Sequence, residues 1–207
     1  MKRIFRNNGL SLALLVLFLS FWAAQSVAGF HVFNDDRLLH GQPLILYGAY
    51  LASGHFWQAT GENWESEFLQ MGFYVILTSI LFQKGSAESN DPDDAEELAR
   101  KRRSTHATWL YRNSLSLAFL LLFLVSFAVH VSGGLKESNA ERSEHGEPLE
   151  TIGEFLSGSE FWFQSFQNWQ SEFLAVLSIV VLSIFLRQHG SPESKKIDDP
   201  YSKTGGE

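Results

Sequence analysis

Hydrophobic positions along the chain fall into four long runs separated by polar segments. The first, GLSLALLVLFLSFWAAQSVAG at residues 9–29, holds no charge. About 20 apolar residues in a helix cross about 30 Å of hydrocarbon. The third, NSLSLAFLLLFLVSFAVHVSGG at 113–134, is of the same kind, with His130 as its one titratable group. The second and fourth, FLQMGFYVILTSILF at 68–82 and FLAVLSIVVLSIFL at 173–186, are shorter. They reach spanning length only if their helices begin near Trp64 and Trp169, which puts Glu67 and Glu172 inside the spans, about one turn from the outer ends. The pattern predicts an all-α integral membrane protein with four transmembrane helices.

Between the runs the pattern is finer. Pro43 and Pro148 suit the first turn of a helix. Leu44, Tyr47 and Leu51, and likewise Leu149, Ile152 and Leu156, then share one face. This predicts a short helix lying on the outer interface, a break at Gly54 or Gly158, and an aromatic turn feeding the next span. Gly85 and Gly190 are expected to end those spans as C-terminal caps. NDPDDAEELARKRR at 90–103 predicts a short helix capped by Asp91, with acids in its first turn and bases in its last. The tail after Ser194 has no apolar pattern and is expected to be disordered.

The pattern also repeats. NWESEFL at 63–69 recurs as NWQSEFL at 168–174. Shifted by 105 positions, the chain matches itself without a gap from Asn8/Asn113 to Ser89/Ser194, with about 35 of 82 pairs identical. This predicts two tandem transmembrane hairpins, 1–89 and 113–194, joined by a cytoplasmic linker, 90–112, and followed by a cytoplasmic tail, 195–207. Each hairpin starts and ends on one side, so the repeats are parallel, about an axis along the membrane normal. Packing across that axis and recent duplication both explain the shared letters.

Charge sets the sidedness. Lys2, Arg3 and Arg6 precede the first run; Lys84, Arg100, Lys101, Arg102, Arg103 and Arg112 lie in the middle; Arg187, Lys195, Lys196 and Lys203 follow the last. The other loops hold only Arg37, Lys136 and Arg142. By the positive-inside bias both termini are cytoplasmic. Trp57, Trp64, Trp162 and Trp169 then fall at the outer interface, and Trp109 and Tyr111 at the inner one. The first run, ending SVA at 26–28, also resembles a cleavable signal peptide, but its recurrence at 113–134 argues against cleavage. With no Cys, disulfides and thiolate metal sites are excluded.

Glu67 and Glu172 are the leading chemical candidates, because an ionisable group within a span needs water, a partner or the interface. Asn63 and Asn168 share their helix faces. Gln25 and His130 occupy equivalent positions near the outer ends of spans one and three, and His40 and His145 open the outer loops beside Arg37 and Arg142. Together these ten residues predict an outward-facing polar vestibule that passes protons or a small cation. The structural alternative places Glu67 in the first helical turn, against the helix dipole or paired with Arg37. No compact metal motif, cofactor fingerprint, nucleotide loop or nucleophile–base arrangement is present, so no metal, no cofactor and no enzymatic turnover is expected. The basic linker lacks the interleaved aromatics of a nucleic-acid surface.

NGLSL near the start, HGxP in the outer loops, NWxSEFL before the second and fourth spans, and GSxES after them resemble a family of uncharacterised bacterial membrane proteins known as a domain of unknown function. Ala87 against Pro192, Gly9 against Ser114, and Lys84 against His189 are departures between the copies. The resemblance implies a bacterial inner-membrane protein and brings no activity. The expected partners are the lipid bilayer and further copies of the chain, in a homo-oligomer held by small residues and aromatics. The expected role is a structural or interaction protein of the membrane. The alternative is a small proton or cation channel or transporter using Glu67 and Glu172.

Overall fold

The structure, a computed structural model, describes residues 2–104 and 107–205. The side chains of Lys2, Arg3 and Arg103, part of the charge reading, lie outside the described residues, as do linker residues 105–106 and tail residues 206–207. The described residues form helices and no strand: α1 (Lys2–Leu39), α2 (Tyr47–Leu51), α3 (Gly54–Ile80), α4 (Ala95–Ser104), α5 (Trp109–Arg112), α6 (Ser114–Glu144), α7 (Ile152–Ser157) and α8 (Ser159–Phe185). Three helices are long and apolar enough to cross a membrane: α1 from Arg6, α6 and α8. Their large side chains lie mostly on the outside, Val16 at 62%, Leu121 at 63% and Leu177 at 57% exposure. Many of the most buried residues are instead polar, among them Thr60, Glu65, Ser66, His130 and Ser165. An apolar exterior of this extent is costly in water and favourable in lipid, consistent with a multi-pass membrane protein.

The chain divides into two compact units, 1–59 with 132–149, and 60–131 with 150–207. In the first unit, the Asn34 side chain bonds both the N–H and the carbonyl of Ile45, at 2.9 and 3.1 Å, and Arg37 Nε donates to the Pro43 carbonyl at 2.8 Å. These bonds hold residues 42–46 outside any helix, so Pro43 precedes α2 by four residues and does not open it as expected. Tyr50 is buried among Phe30, Phe33 and Phe56, with ring centroids 5.7–6.0 Å apart. The aromatic stretch expected as a turn is helical from Gly54. Its opening N–H groups have a carboxylate to meet: His55 N–H donates to Glu137 Oε2 at 2.9 Å.

In the second unit, Thr151 and Glu154 form a reciprocal capping box at the start of α7, so Pro148 also lies ahead of its helix. The Trp162 indole then donates to the Leu156 carbonyl at 2.8 Å, tying α8 back onto α7. Gly85 and Gly190 are not caps. Each stands five residues beyond its helix, at φ +87° and +80°. Each is the third residue of a turn closed by Ser86 N–H to Gln83 O, or Ser191 N–H to Gln188 O, at 3.2 Å. That position needs a left-handed backbone, which glycine adopts without strain.

The described part of the tail makes polar contacts. The buried Lys195 ammonium donates to the carbonyls of Gly85, Tyr201 and Lys203. Gly85 N–H reaches Thr204 Oγ1 at 3.0 Å, and Gly205 N–H reaches the Ser86 carbonyl at 2.9 Å. The linker follows expectation, with Asp91 accepting from Asp93 N–H ahead of a 3-10 turn at Pro92–Asp94 that leads into α4.

Candidate functional site

Three helices of the second unit converge on one carboxylate. Gly61 and Glu65 are four apart on α3 and share a face. A Cβ on Gly61 would collide with the backbone of His130 on α6, so only glycine allows these helices so close. Glu65 then faces His130, with Oε2 3.1 Å from Nδ1. Ser165 and Trp169, again four apart, sit on one face of α8. Ser165 Oγ donates to Glu65 Oε1 at 3.1 Å and the Trp169 indole to the same oxygen at 3.2 Å. Phe161, one turn earlier on α8, stacks on the His130 ring at 4.8 Å. Glu65, His130 and Ser165 have no exposure to solvent.

In the arrangement where Glu65 is the acceptor, His130 Nδ1 carries the proton between them. That tautomer leaves a lone pair on Nε2, which is buried and has no hydrogen-bond partner. An unmet buried polar atom of this kind costs about 1–3 kcal/mol and calls for an explanation. Glu62, one turn before Ser66 on α3, interacts electrostatically with His130 and accepts a hydrogen bond from the Asn168 amide. The site therefore pairs one enclosed carboxyl group with one imidazole whose Nε2 meets no hydrogen-bond partner. No group of three or more His, Asp or Glu among the described residues is arranged to hold a metal ion.

The ten vestibule residues divide between the two units, five in each. Glu67 and Glu172 interact electrostatically with each other, Glu67 exposed and Glu172 half-buried. Because α3 starts at Gly54, Glu67 lies more than three turns into its helix and not in the first. Asn63 is exposed, and Asn168 turns to Glu62 and to the Gln164 carbonyl. His130 is sealed against Glu65, while Gln25 is exposed. In the first unit, Arg37, His40 and His145 do share a cleft of about 350 Å³ with Asp36, Glu137 and Glu144. Both histidines, however, donate from Nδ1 to carbonyls four residues earlier, Asp36 and Glu141, at 2.9 Å. Arg37 meets Glu144 at 4.0 Å, and Arg142 meets the Pro148 carbonyl at 2.8 Å and Glu147 at 3.4 Å. These residues close helix ends.

A family model described as a domain of unknown function, DUF6766, matches residues 1–206. The chain belongs to that family. No curated protein and no solved structure matches it. In this DUF6766 chain the buried glutamate escapes a search that weighs shared letters. Glu67 and Glu172 agree between the copies of the motif, whereas Glu65 faces Gln170 in the register and is its single mismatch. His130 likewise matches Gln25. An acid and a base that each replace an amide at the matched position are the signal that could have found the pair.

Proposed function

We propose that the chain is a bacterial inner-membrane protein of four spans, built as two tandem hairpins with both termini cytoplasmic, and that it moves protons through the Glu65–His130 pair. The observation that carries this reading is the enclosed carboxylate–imidazole pair with Nε2 unmet. α3 serves as the fourth span. Its hydropathy is lowered by Glu62, Glu65, Glu67 and Gln70, but Glu65 and Gln70 are buried and take no part in the lipid face. The tandem reading is supported by bonds that recur 105 residues apart: Arg37 to Pro43 and Arg142 to Pro148, both at 2.8 Å, and a break in the helix at Asn8 and at Asn113.

In the relay, a proton binds His130 at Nε2, and the Nδ1 proton passes to Glu65 Oε2, leaving a neutral imidazole of the opposite tautomer and a neutral carboxyl. The carboxyl proton then leaves Glu65 to water on the opposite side, and a ring rotation that turns an N–H back to the carboxylate resets the pair. Nothing is covalently converted, so the protein is not an enzyme, and lipid and other copies of the chain are its partners. A second reading, a structural or interaction protein, is supported by the same carboxylate's other bonds, which tie α3 to α8.

The test is proton flux in liposomes, with a pH gradient and a membrane potential applied separately. Wild type, Glu65→Gln, His130→Gln and Glu67→Gln/Glu172→Gln are compared, each checked for folding by circular dichroism. Flux in wild type and in the Glu67/Glu172 double variant, with loss in either inner variant, supports the relay. No flux in folded wild type favours the structural reading.

A further inference from the structure

We propose that the second unit binds one anionic phospholipid, with an acyl chain in the groove between α3 and the start of α6 and its headgroup at the basic end of α4. The proposal uses the membrane reading but not the proton relay. The groove, about 460 Å³, is walled by Phe68, Gly72 and Ile76 of α3 and by Leu117, Leu120 and Phe123 of α6. Gly72 leaves a notch there, since a Cβ would meet only Phe119 at 3.4 Å. The walls are almost wholly apolar, which suits a hydrocarbon chain in van der Waals contact.

One end of the groove changes character. Ser79, Ile80, Trp109 and Asn113 line it there. Trp109 is 67% exposed, in keeping with a ring at a headgroup boundary. A second cleft of about 360 Å³ shares Ser79 and Ile80 and runs on to Arg102 of α4. The Arg102 guanidinium donates to the Ser79 carbonyl, which fixes the cation beside the groove and leaves its other N–H groups for a ligand. Arg100, two residues before Arg102, and Arg112, next to Asn113, are also exposed. Lys101, by contrast, is committed to Glu97 at 2.7 Å. An apolar slot that opens onto guanidinium groups is complementary to a phosphodiester carrying acyl chains. A partner helix or a second copy would have no use for that end charge.

Native mass spectrometry of the full chain, titrated with dioleoyl phosphatidylglycerol or phosphatidylcholine, tests this. We expect one tight adduct with the anionic lipid, favoured about thirtyfold over the zwitterionic one, as two nearby cations would give. Arg102→Gln/Arg112→Gln, at exposed positions, should bring the preference close to one. Ser116→Trp, which fills the groove, should weaken both lipids. Should that variant misfold, quenching of Trp109 by brominated lipid, taken as the difference from Trp109→Phe, reads occupancy in the native groove. Equal binding of the two lipids, a preference that survives loss of both arginines, or a chain that dimerises through the groove in place of binding lipid would each overturn the proposal. Complete competition by millimolar inorganic phosphate would reduce the site to an ion site and overturn the acyl-chain assignment.

Discussion

Residues 8–89 and 113–194 agree in their framework and differ in their buried chemistry. The arginines at 37 and 142 bond the carbonyl six residues on, the histidines at 40 and 145 bond the carbonyl four residues back, and the glycines at 85 and 190 hold the same left-handed turn. Phe56 packs edge-on against Tyr50 as Phe161 does against Phe155. These contacts are local, so matched letters reproduce them wherever they occur. The enclosed polar pair is different. It needs Gly61, where the other copy has Phe166; Glu65, where it has Gln170; and His130, where it has Gln25. At the matched positions Glu65 and His130 are ionisable, and Gln170 and Gln25 are amides.

The largest effect is expected from erasing that difference. Glu65→Gln makes the two motifs identical, and proton flux in liposomes should fall at least tenfold, with stability reduced by only about 1–3 kcal/mol because the amide keeps an acceptor for Ser165 and Trp169. Gln170→Glu also makes the motifs identical, in the opposite sense, and should leave flux close to wild type. Equal losses from both changes would mean that flux depends on the motif as a scaffold and not on the Glu65 proton.

Gly61→Phe copies the other half at the closest helix contact. The ring has no space against the His130 backbone, so thermal unfolding in detergent should show a loss of about 3 kcal/mol or more, if the variant folds at all. Phe166→Gly at the matched, exposed position should cost much less, about 1 kcal/mol, mainly through helix propensity. Similar costs at the two positions would show that the close approach at Gly61 is not what separates the halves.

How much was legible in sequence depended on whether the controlling interactions were local. Apolar runs located α1, α6 and α8 because span length and composition act over one helix. Asp91 located the start of the linker helix because capping acts over three residues. The prolines misled because the Arg–Pro and Asn34–Ile45 bonds, not the ring of proline, decide where α2 begins. The contacts of the tail are not legible locally, because the Lys195 ammonium reaches a carbonyl 110 positions earlier. Only its partners on α6 and α8 distinguish Glu65 from Glu67, two residues away. Lys195→Met tests the tail directly. It removes the donor shared by three carbonyls, and should cost about 1–3 kcal/mol and open residues 196–205 to limited proteolysis, while Lys196→Met at the exposed neighbour does neither.

The smallest expected effect concerns the one matched pair of acids at the ends of the motif GSxES. Burial holds the Glu88 carboxyl above its ordinary value of 4.5; the Tyr74 hydroxyl, which donates to it, works against the shift, and Glu193, at the matched position in the other copy, adds to it. The folded state then holds the proton more tightly than the unfolded chain. Glu88's favourable contribution is complete below pH 4.5 and is lost as pH rises through its higher folded value. Glu88→Gln keeps the hydrogen bond to Tyr74 and removes the charge, so stability against pH should flatten above 4.5. The gain at neutral pH should be below about 1 kcal/mol, because the group is only half-buried and solvent screens it. Glu193→Gln should act in the same direction but more weakly, since it relieves the repulsion and not the burial. If Glu193→Gln gave the larger change, charge repulsion between the copies, and not desolvation of one of them, would control this end of the fold.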